Sequence, residues 1–269
     1  MDPLTAKVAS DVAVATSKEA YEDLIKPAAT NLGQLGGSTT GLLNAIFGRG
    51  LDTLSLKLNL YWDQTQKKLL QKKEAIPPEE RQEPSIGITK TVLDGLTTAI
   101  DSEELQDLFL NLLCGSMDKR TADGILPSYA EILKQMCPDE ARLMRYFFSL
   151  PGKMGPILEV RTASTNPDKK GWTVAKSNLS LFGFEANCNF PHNAPIYLDN
   201  LQRLGLINLS FNQSFTDEKR YQQLENFIEI QQIKKVIESN PNRKCNLEHG
   251  IMKLTIFGES FCKACKISE

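Results

Sequence analysis

Apolar side chains recur at helical spacing in the middle of the chain. Ile88, Val92, Leu96 and Ile100 form a stripe that returns about every four residues, as one face of an amphipathic helix does. A second apolar stripe runs through residues 105–113. These patterns predict a helical core over residues 81–150.

Polar and proline positions predict where the helices of this core begin. Asp101 is followed three residues later by Glu104, the spacing of a capping box. Pro127 and Pro138 each precede an apolar run, and proline suits the first turn of a helix because it lacks the backbone N–H. Two further helices are therefore expected after these prolines.

The N-terminal part is also predicted to be helical, as a region spanning residues 1–80. The alternation of leucines over residues 54–60 would suit a strand, but the Gln- and Lys-rich sequence that follows favours one long helix. Residues 76–86 contain three prolines and dense charge, which is typical of a connecting loop. We place the boundary with the helical core there.

The pattern changes after residue 150, where β-branched and aromatic residues predict strands. A helix over residues 194–204 is expected to end at Gly205, with wing strands at residues 206–209 and 252–256. This order is typical of a winged helix-turn-helix. Residues 217–239 are predicted to form one long additional helix. The expected fold is therefore mainly α: an N-terminal and central helical bundle, followed by a winged-helix-like α+β domain over residues 151–269.

Composition argues against several classes of chemistry. The formal net charge of −2 provides no global field that would attract nucleic acid. Two histidines, His192 and His249, are few for a zinc hydrolase or a histidine-based triad. The glycines of residues 33–50 do not have the spacing of a phosphate-binding loop. We therefore expect a protein that is not an enzyme and needs no cofactor.

The Cys262-x-x-Cys265 pair is the clearest chemical signature. A zinc site would need further ligands, for which Cys245 and His249 are the available residues. A redox dithiol would lie at a helix N-terminus in a βαβ unit, which is not the context here. Packing inside a terminal helix is preferred, with zinc and redox chemistry as the alternatives.

Two N-terminal segments are candidates for contacts. Residues 38–60 are apolar and broken by glycine, and Leu42 and Phe47 could insert into a membrane surface; close packing against other helices is the alternative. Lys67, Lys68 and Lys72 lie on one face of the predicted helix and could contact phosphates or acidic lipids. A solvated helix face is the preferred interpretation of these lysines.

The predicted recognition helix supplies Asn200 and Arg203 as interaction residues. It has one basic residue, whereas DNA readers usually add several cations that contact phosphates. Contact with a protein partner, or formation of a homo-oligomer, is therefore preferred, and nucleic acid is the less favoured partner.

Several phrases of the sequence occur in the order typical of a known family. They are PSIGITKTVLDGL, EELQDLFLNLLCGSMD, LPSYAEILKQMCPDEARLM, NLQRLGLI and LTIFGESFCKAC, over about residues 80–265. Together they resemble the bacterial Abi-alpha (abortive infection alpha) family. One departure is Leu126-Pro127, where the family phrase commonly has His-Pro. The resemblance implies a cytosolic, mainly helical protein of antiviral defence, and it implies no catalytic residues.

These observations lead to one expected function and one alternative. We expect a non-enzymatic anti-phage protein that acts by abortive infection through regulated protein or membrane contacts, with residues 1–80 as the effector or partner-binding part. The alternative is a winged-helix transcriptional regulator that binds DNA. The widely spread cysteines and the lack of a secretory pattern predict a cytoplasmic location, and peripheral contact with the inner membrane is a further expectation.

Overall fold

The computed structural model describes residues 55–267, with side chains described from residue 61 onward. The chain divides into two compact units, Met1–Ala75 and Ile76–Glu269. In the described part of the first unit, helix α1 spans Ser55–Glu74, so the helix prediction for residues 55–60 is confirmed over the strand alternative.

The second unit consists of a helical half followed by a half built on a β-sheet. The helices of the helical half are α2 (Ile86–Thr98), α3 (Glu103–Ser116), α4 (Pro127–Leu133) and α5 (Pro138–Ser149). The elements of the second half are β1 (Met154–Ser164), β2 (Trp172–Leu179), α6 (Phe182–Glu185), α7 (Ala194–Arg203), β3 (Ile207–Ser210), α8 (Lys219–Glu225), α9 (Ile228–Glu238), β4 (Arg243–Leu254) and α10 (Ile256–Ala264).

The helical half forms as its apolar pattern predicts. Val92, Leu96 and Phe109 are at most 1% exposed, which places both apolar stripes in one core. Ile100 is the exception in the first stripe, since it lies beyond the end of α2 and is 38% exposed. Pro127 and Pro138 begin α4 and α5, as predicted.

The capping prediction for α3 is off by one residue. Ser102, not Asp101, caps the helix, because its hydroxyl accepts a hydrogen bond from the backbone N–H of Leu105 at 3.2 Å. The expected partner Glu104 lies one position earlier in the helix than a capping box requires.

The four strands form one antiparallel sheet in the order β2-β1-β4-β3, curled into a half-barrel. β1 and β4 are its central strands and pair over eleven positions, from Met154 opposite Lys253 to Ser164 opposite Arg243. Leu158 and Val160 of β1 are fully buried and pack against Leu224 and Ile230. Helices α8 and α9 therefore cover one face of the sheet.

The winged-helix prediction is wrong. Its local parts are present, since Gly205 follows α7 with a φ of 75° and β3 pairs with the end of β4. A wing, however, is a hairpin with a short turn, whereas α8 and α9 lie between β3 and β4. β4 also extends back to Arg243 and pairs with β1 along its other edge. The strands thus belong to a larger sheet domain.

The long helix predicted over residues 217–239 is present as two helices. Asn226 and Phe227 interrupt it, and Phe227 has an extended backbone with φ −63° and ψ 135°. Leu224 before the break and Ile230 after it are both buried against the same sheet face. The break allows the two helices to follow the curled sheet, which one straight helix would not do.

Within residues 55–267, no helix combines the length and the apolar character needed to cross a bilayer.

Candidate functional site

A buried carboxylate, that of Asp139, joins the helical half to the segment that precedes α7. Its two oxygens accept hydrogen bonds from the backbone N–H groups of Asn189 at 2.7 Å and Phe190 at 2.9 Å. Burial by itself would raise the pKa of Asp139, but these N–H donors, the Tyr197 hydroxyl and Arg142 outweigh it, and the pKa is lowered. The carboxylate is therefore charged and serves as an anchor.

Arg142 extends this anchor into an ion-pair network. Its guanidinium contacts an oxygen of Asp139 at 2.8 Å and one of Glu104 at 2.5 Å. Burial acts to raise the pKa of Glu104, but hydrogen bonds, including that from Arg142, lower it overall. The network connects α3, α5 and the segment before α7, and both of its carboxylates contact the one guanidinium.

The predicted interaction residues Asn200 and Arg203 face the helical half. The Asn200 amide donates to Glu140 Oε1 at 2.7 Å and to the Gln135 carbonyl at 3.2 Å. Arg203 donates to Gln135 Oε1 at 3.1 Å and to Asn200 Oδ1 at 2.7 Å. Both side chains thus hold α7 against the α4–α5 corner.

Two histidine–glutamate pairs are present that the sequence did not indicate. His249 Nε2 lies 2.6 Å from Glu225 Oε1, and His192 Nδ1 lies 2.6 Å from Glu229 Oε1. In each pair, a glutamate of α8 or α9 contacts a histidine that is distant in the sequence, and no motif contains both residues. No local spacing could have revealed them.

His249 borders an open groove of about 360 Å³ between residues 211–214 and 247–249. Ser214 is also in the lining, so the groove holds the residue types of a hydrolytic triad, with Glu225 as the third member. Among the described residues, however, no hydrogen bond joins Ser214 to His249, and a triad requires that contact. The His249–Glu225 pair links β4 to α8.

The terminal cysteines lie in an apolar environment. Cys262 and Cys265 are 0% exposed. Burial raises the pKa of Cys262 to about 12 and that of Cys265 well above its usual value. Because the thiolate is the form that binds metals and attacks electrophiles, this environment favours packing over the zinc and redox alternatives.

The remaining candidates lie in the first unit. Lys67, Lys68 and Lys72 are on α1, where Lys67 is exposed and the other two are partly buried. Leu42 and Phe47, with most of the proposed membrane segment 38–60, lie outside the described residues. Their roles stay predictions.

A family model for abortive infection alpha matches residues 57–265. The chain belongs to the abortive infection alpha family. The match confirms the resemblance that the ordered phrases indicated and associates the chain with abortive infection and phage resistance.

The chain is also similar to one solved structure, that of an uncharacterized protein from the hydrocarbon-degrading marine bacterium Alcanivorax borkumensis SK2, with 17% sequence identity. The alignment has a TM-score of 0.33 and covers 51% of this chain and 92% of that one. No curated protein matches the chain.

Proposed function

We propose that this member of the abortive infection alpha family is a non-enzymatic anti-phage protein, which acts through regulated contacts with a protein partner or a membrane. The family match carries the proposal. Residues 1–80 are the proposed effector or partner-binding part, in the cytoplasm or at the inner membrane surface.

The environment of the chemically capable side chains supports a role without catalysis. Asp139 and Glu104 are both paired with Arg142, and the thiols of Cys262 and Cys265 are buried in protonated form. Their internal contacts give these groups a structural role, which supports the proposal.

Phage challenge tests the defence role. Cultures with and without the gene are infected at low and high multiplicity, and growth is followed. Protection at low multiplicity with collapse at high multiplicity is expected, because abortive infection removes infected cells before phage is released. Equal growth of both cultures across a broad phage panel would contradict the role.

Substitution of both histidines tests the absence of catalysis. A His192→Gln/His249→Gln variant removes both imidazoles, while glutamine retains a donor for Glu225 and Glu229. Protection at the wild-type level is expected, with the fold checked by circular dichroism. Loss of protection by a variant of wild-type stability would show that imidazole chemistry is needed.

Sedimentation with anionic liposomes tests the membrane contact. Leu42→Glu/Phe47→Glu should reduce binding, because charges are costly in an apolar interface. Ile256→Glu is the matched control, since Ile256 is 90% exposed on α10 and lies outside the proposed segment. No binding of the wild type at low salt would exclude the membrane and leave a protein partner.

We do not propose the alternative function, a winged-helix transcriptional regulator that binds DNA. It rested on a winged helix, which the sheet topology contradicts, and on Arg203, whose guanidinium bonds to Gln135 and Asn200.

A further inference from the structure

The end of the sheet opposite β3 gathers exposed cations from two segments. Lys169 and Lys170 lie in the β1–β2 turn, and Arg243 and Lys244 at the start of β4. All four are exposed. We call these four residues, together with Trp172, the basic sheet end.

Strand pairing places an aromatic ring and a cation on one face of this surface. Ala163 of β1 pairs with Trp172 on one side and with Lys244 on the other. Directly paired residues of antiparallel strands project to the same face. With strands about 4.8 Å apart, the backbones of Trp172 and Lys244 are about 10 Å apart.

The two turns of this end are tied together by hydrogen bonds. The backbone N–H of Thr165 donates to the Asn242 carbonyl at 3.1 Å, and its hydroxyl donates to the Pro241 carbonyl at 3.1 Å. The lysines of the β1–β2 turn are therefore held beside the start of β4.

The cations of the basic sheet end form no ion pairs. In the described part of the chain, no carboxylate lies within ion-pair distance of their four side chains, and Asp168 is the one acidic residue of the β1–β2 turn that carries Lys169 and Lys170. Arg161 beside them is different, since it contacts Glu159 and Glu248, each at 2.6 Å. The surface is thus locally positive in a chain whose formal net charge is −2.

Trp172 has the exposure and the support of a stacking platform. The residue is 53% exposed, although tryptophan is usually well buried. The Arg161 guanidinium lies 3.8 Å from the ring centroid, and its two carboxylate contacts hold it in place. The ring is therefore braced on one side and accessible on another.

We propose that the basic sheet end binds single-stranded nucleic acid, with a base stacked on Trp172 and the phosphates contacting the surrounding lysines and Arg243. An exposed aromatic ring among spaced cations is the combination that single strands require, because stacking and backbone charge act together. A duplex keeps its bases stacked on one another and could not use the ring. An acidic peptide would use the cations but not the exposed face of Trp172.

The assignment goes beyond the proposed function by naming a further partner class. Nucleic-acid binding is measured in solution and the defence role by phage challenge, so one hypothesis can be contradicted while the other stands.

The full-length protein offers a direct optical readout. The chain has two tryptophans, and a Trp62→Phe variant leaves Trp172 as the sole indole. An oligouridylate and an oligothymidylate of about 12 nucleotides, a length within the usual range of single-strand sites, are titrated at about 50 mM salt. Quenching of Trp172 fluorescence, with a parallel rise in the anisotropy of a labelled oligonucleotide, is expected. The two arms distinguish RNA from DNA.

Two variants separate stacking from charge. Trp172→Ala should weaken binding about tenfold, the effect of losing one stacked base. Lys244→Ala should reduce the slope of log K against log salt by about 0.7, the value for one phosphate contact of a single strand. Lys253→Ala is the matched control, since this exposed lysine lies at the other end of the same strand and should change neither quantity.

A polyglutamate peptide of similar charge serves as the competing ligand. No oligonucleotide binding at low salt, binding without quenching of Trp172, or equal affinity for polyglutamate would each overturn the assignment. Quenching that depends on the oligonucleotide and is lost at high salt would support it.

Discussion

The rings of Tyr221 and His249 stack face to face, with centroids 3.9 Å apart and an angle of 1° between their planes. The Tyr221 hydroxyl donates to the Gly250 carbonyl at 2.9 Å and accepts from the Phe215 N–H at 3.1 Å. Tyr221 is fully buried. One side chain thus connects α8, the central strand β4 and the segment before α8.

Removing this hydroxyl should destabilise the sheet half. Tyr221→Phe leaves the Phe215 N–H and one lone pair of the Gly250 carbonyl without their partner, and we expect a loss of about 1–2 kcal/mol in the free energy of unfolding. Urea denaturation measures it. Tyr146→Phe is the control, because the Tyr146 hydroxyl bonds Glu185 at 2.8 Å in an exposed position and should contribute less. Equal effects of the two substitutions would contradict the role of Tyr221.

Neutralising Asp139 should lower the free energy of unfolding more than Tyr221→Phe does. Asp139→Asn removes the charge that Arg142 and two backbone N–H groups contact, and we expect a loss of about 2–4 kcal/mol at neutral pH. Asp168→Asn, in the exposed β1–β2 turn, should have almost no effect. Denaturation curves for the two variants provide the comparison.

The contribution of Asp139 should also depend on pH. Its folded-state pKa lies below the ordinary value of 3.8, so its stabilisation is complete above about pH 5 and is lost as the pH falls through the folded-state pKa. The stability difference between wild type and Asp139→Asn should therefore shrink between pH 5 and pH 2. A difference that stays constant over this range would show that the charge is not what matters.

The terminal thiols should be unreactive in the folded protein. Cys262 and Cys265 are buried with raised pKa values, so iodoacetamide at pH 8 should not modify them until urea unfolds the chain. Cys245 is the internal control, because it is only partly buried and should react earlier. Mass spectrometry of the peptides gives the order of labelling, and rapid native labelling of Cys262 would contradict the packing interpretation.

The two residues predicted for partner contacts should instead affect stability. Asn200→Ala takes a hydrogen bond from the buried Glu140 and should cost about 1–2 kcal/mol. Arg203→Ala removes exposed bonds and should cost less than about 1 kcal/mol. The double variant should show coupling, since Arg203 bonds directly to Asn200. Additive effects in thermal unfolding would argue against a shared contact.

The sequence alone indicated the elements whose causes are local. The helices after residue 85 follow from apolar spacing and from prolines in their first turns. Gly205 ends α7 because its own φ is positive, a conformation that glycine adopts without a steric penalty. These signals extend over about four residues, the distance that one helical turn spans, and they are visible in the sequence.

Tertiary structure decided the sheet and the surfaces on it. The start of β4, RKCNL, offers only Cys245 and Leu247 as alternating apolar residues, too short a pattern to predict a strand, and it becomes a central strand because β1 pairs with it along its length. Arg161 and Glu248 are 87 residues apart and meet across that pairing. The same pairing brings together the cations of the basic sheet end. They are far apart in the sequence, and the formal net charge of −2 does not reveal them. Packing of the sheet against α8 and α9 stabilises this strand pairing, and no local sequence pattern predicts it.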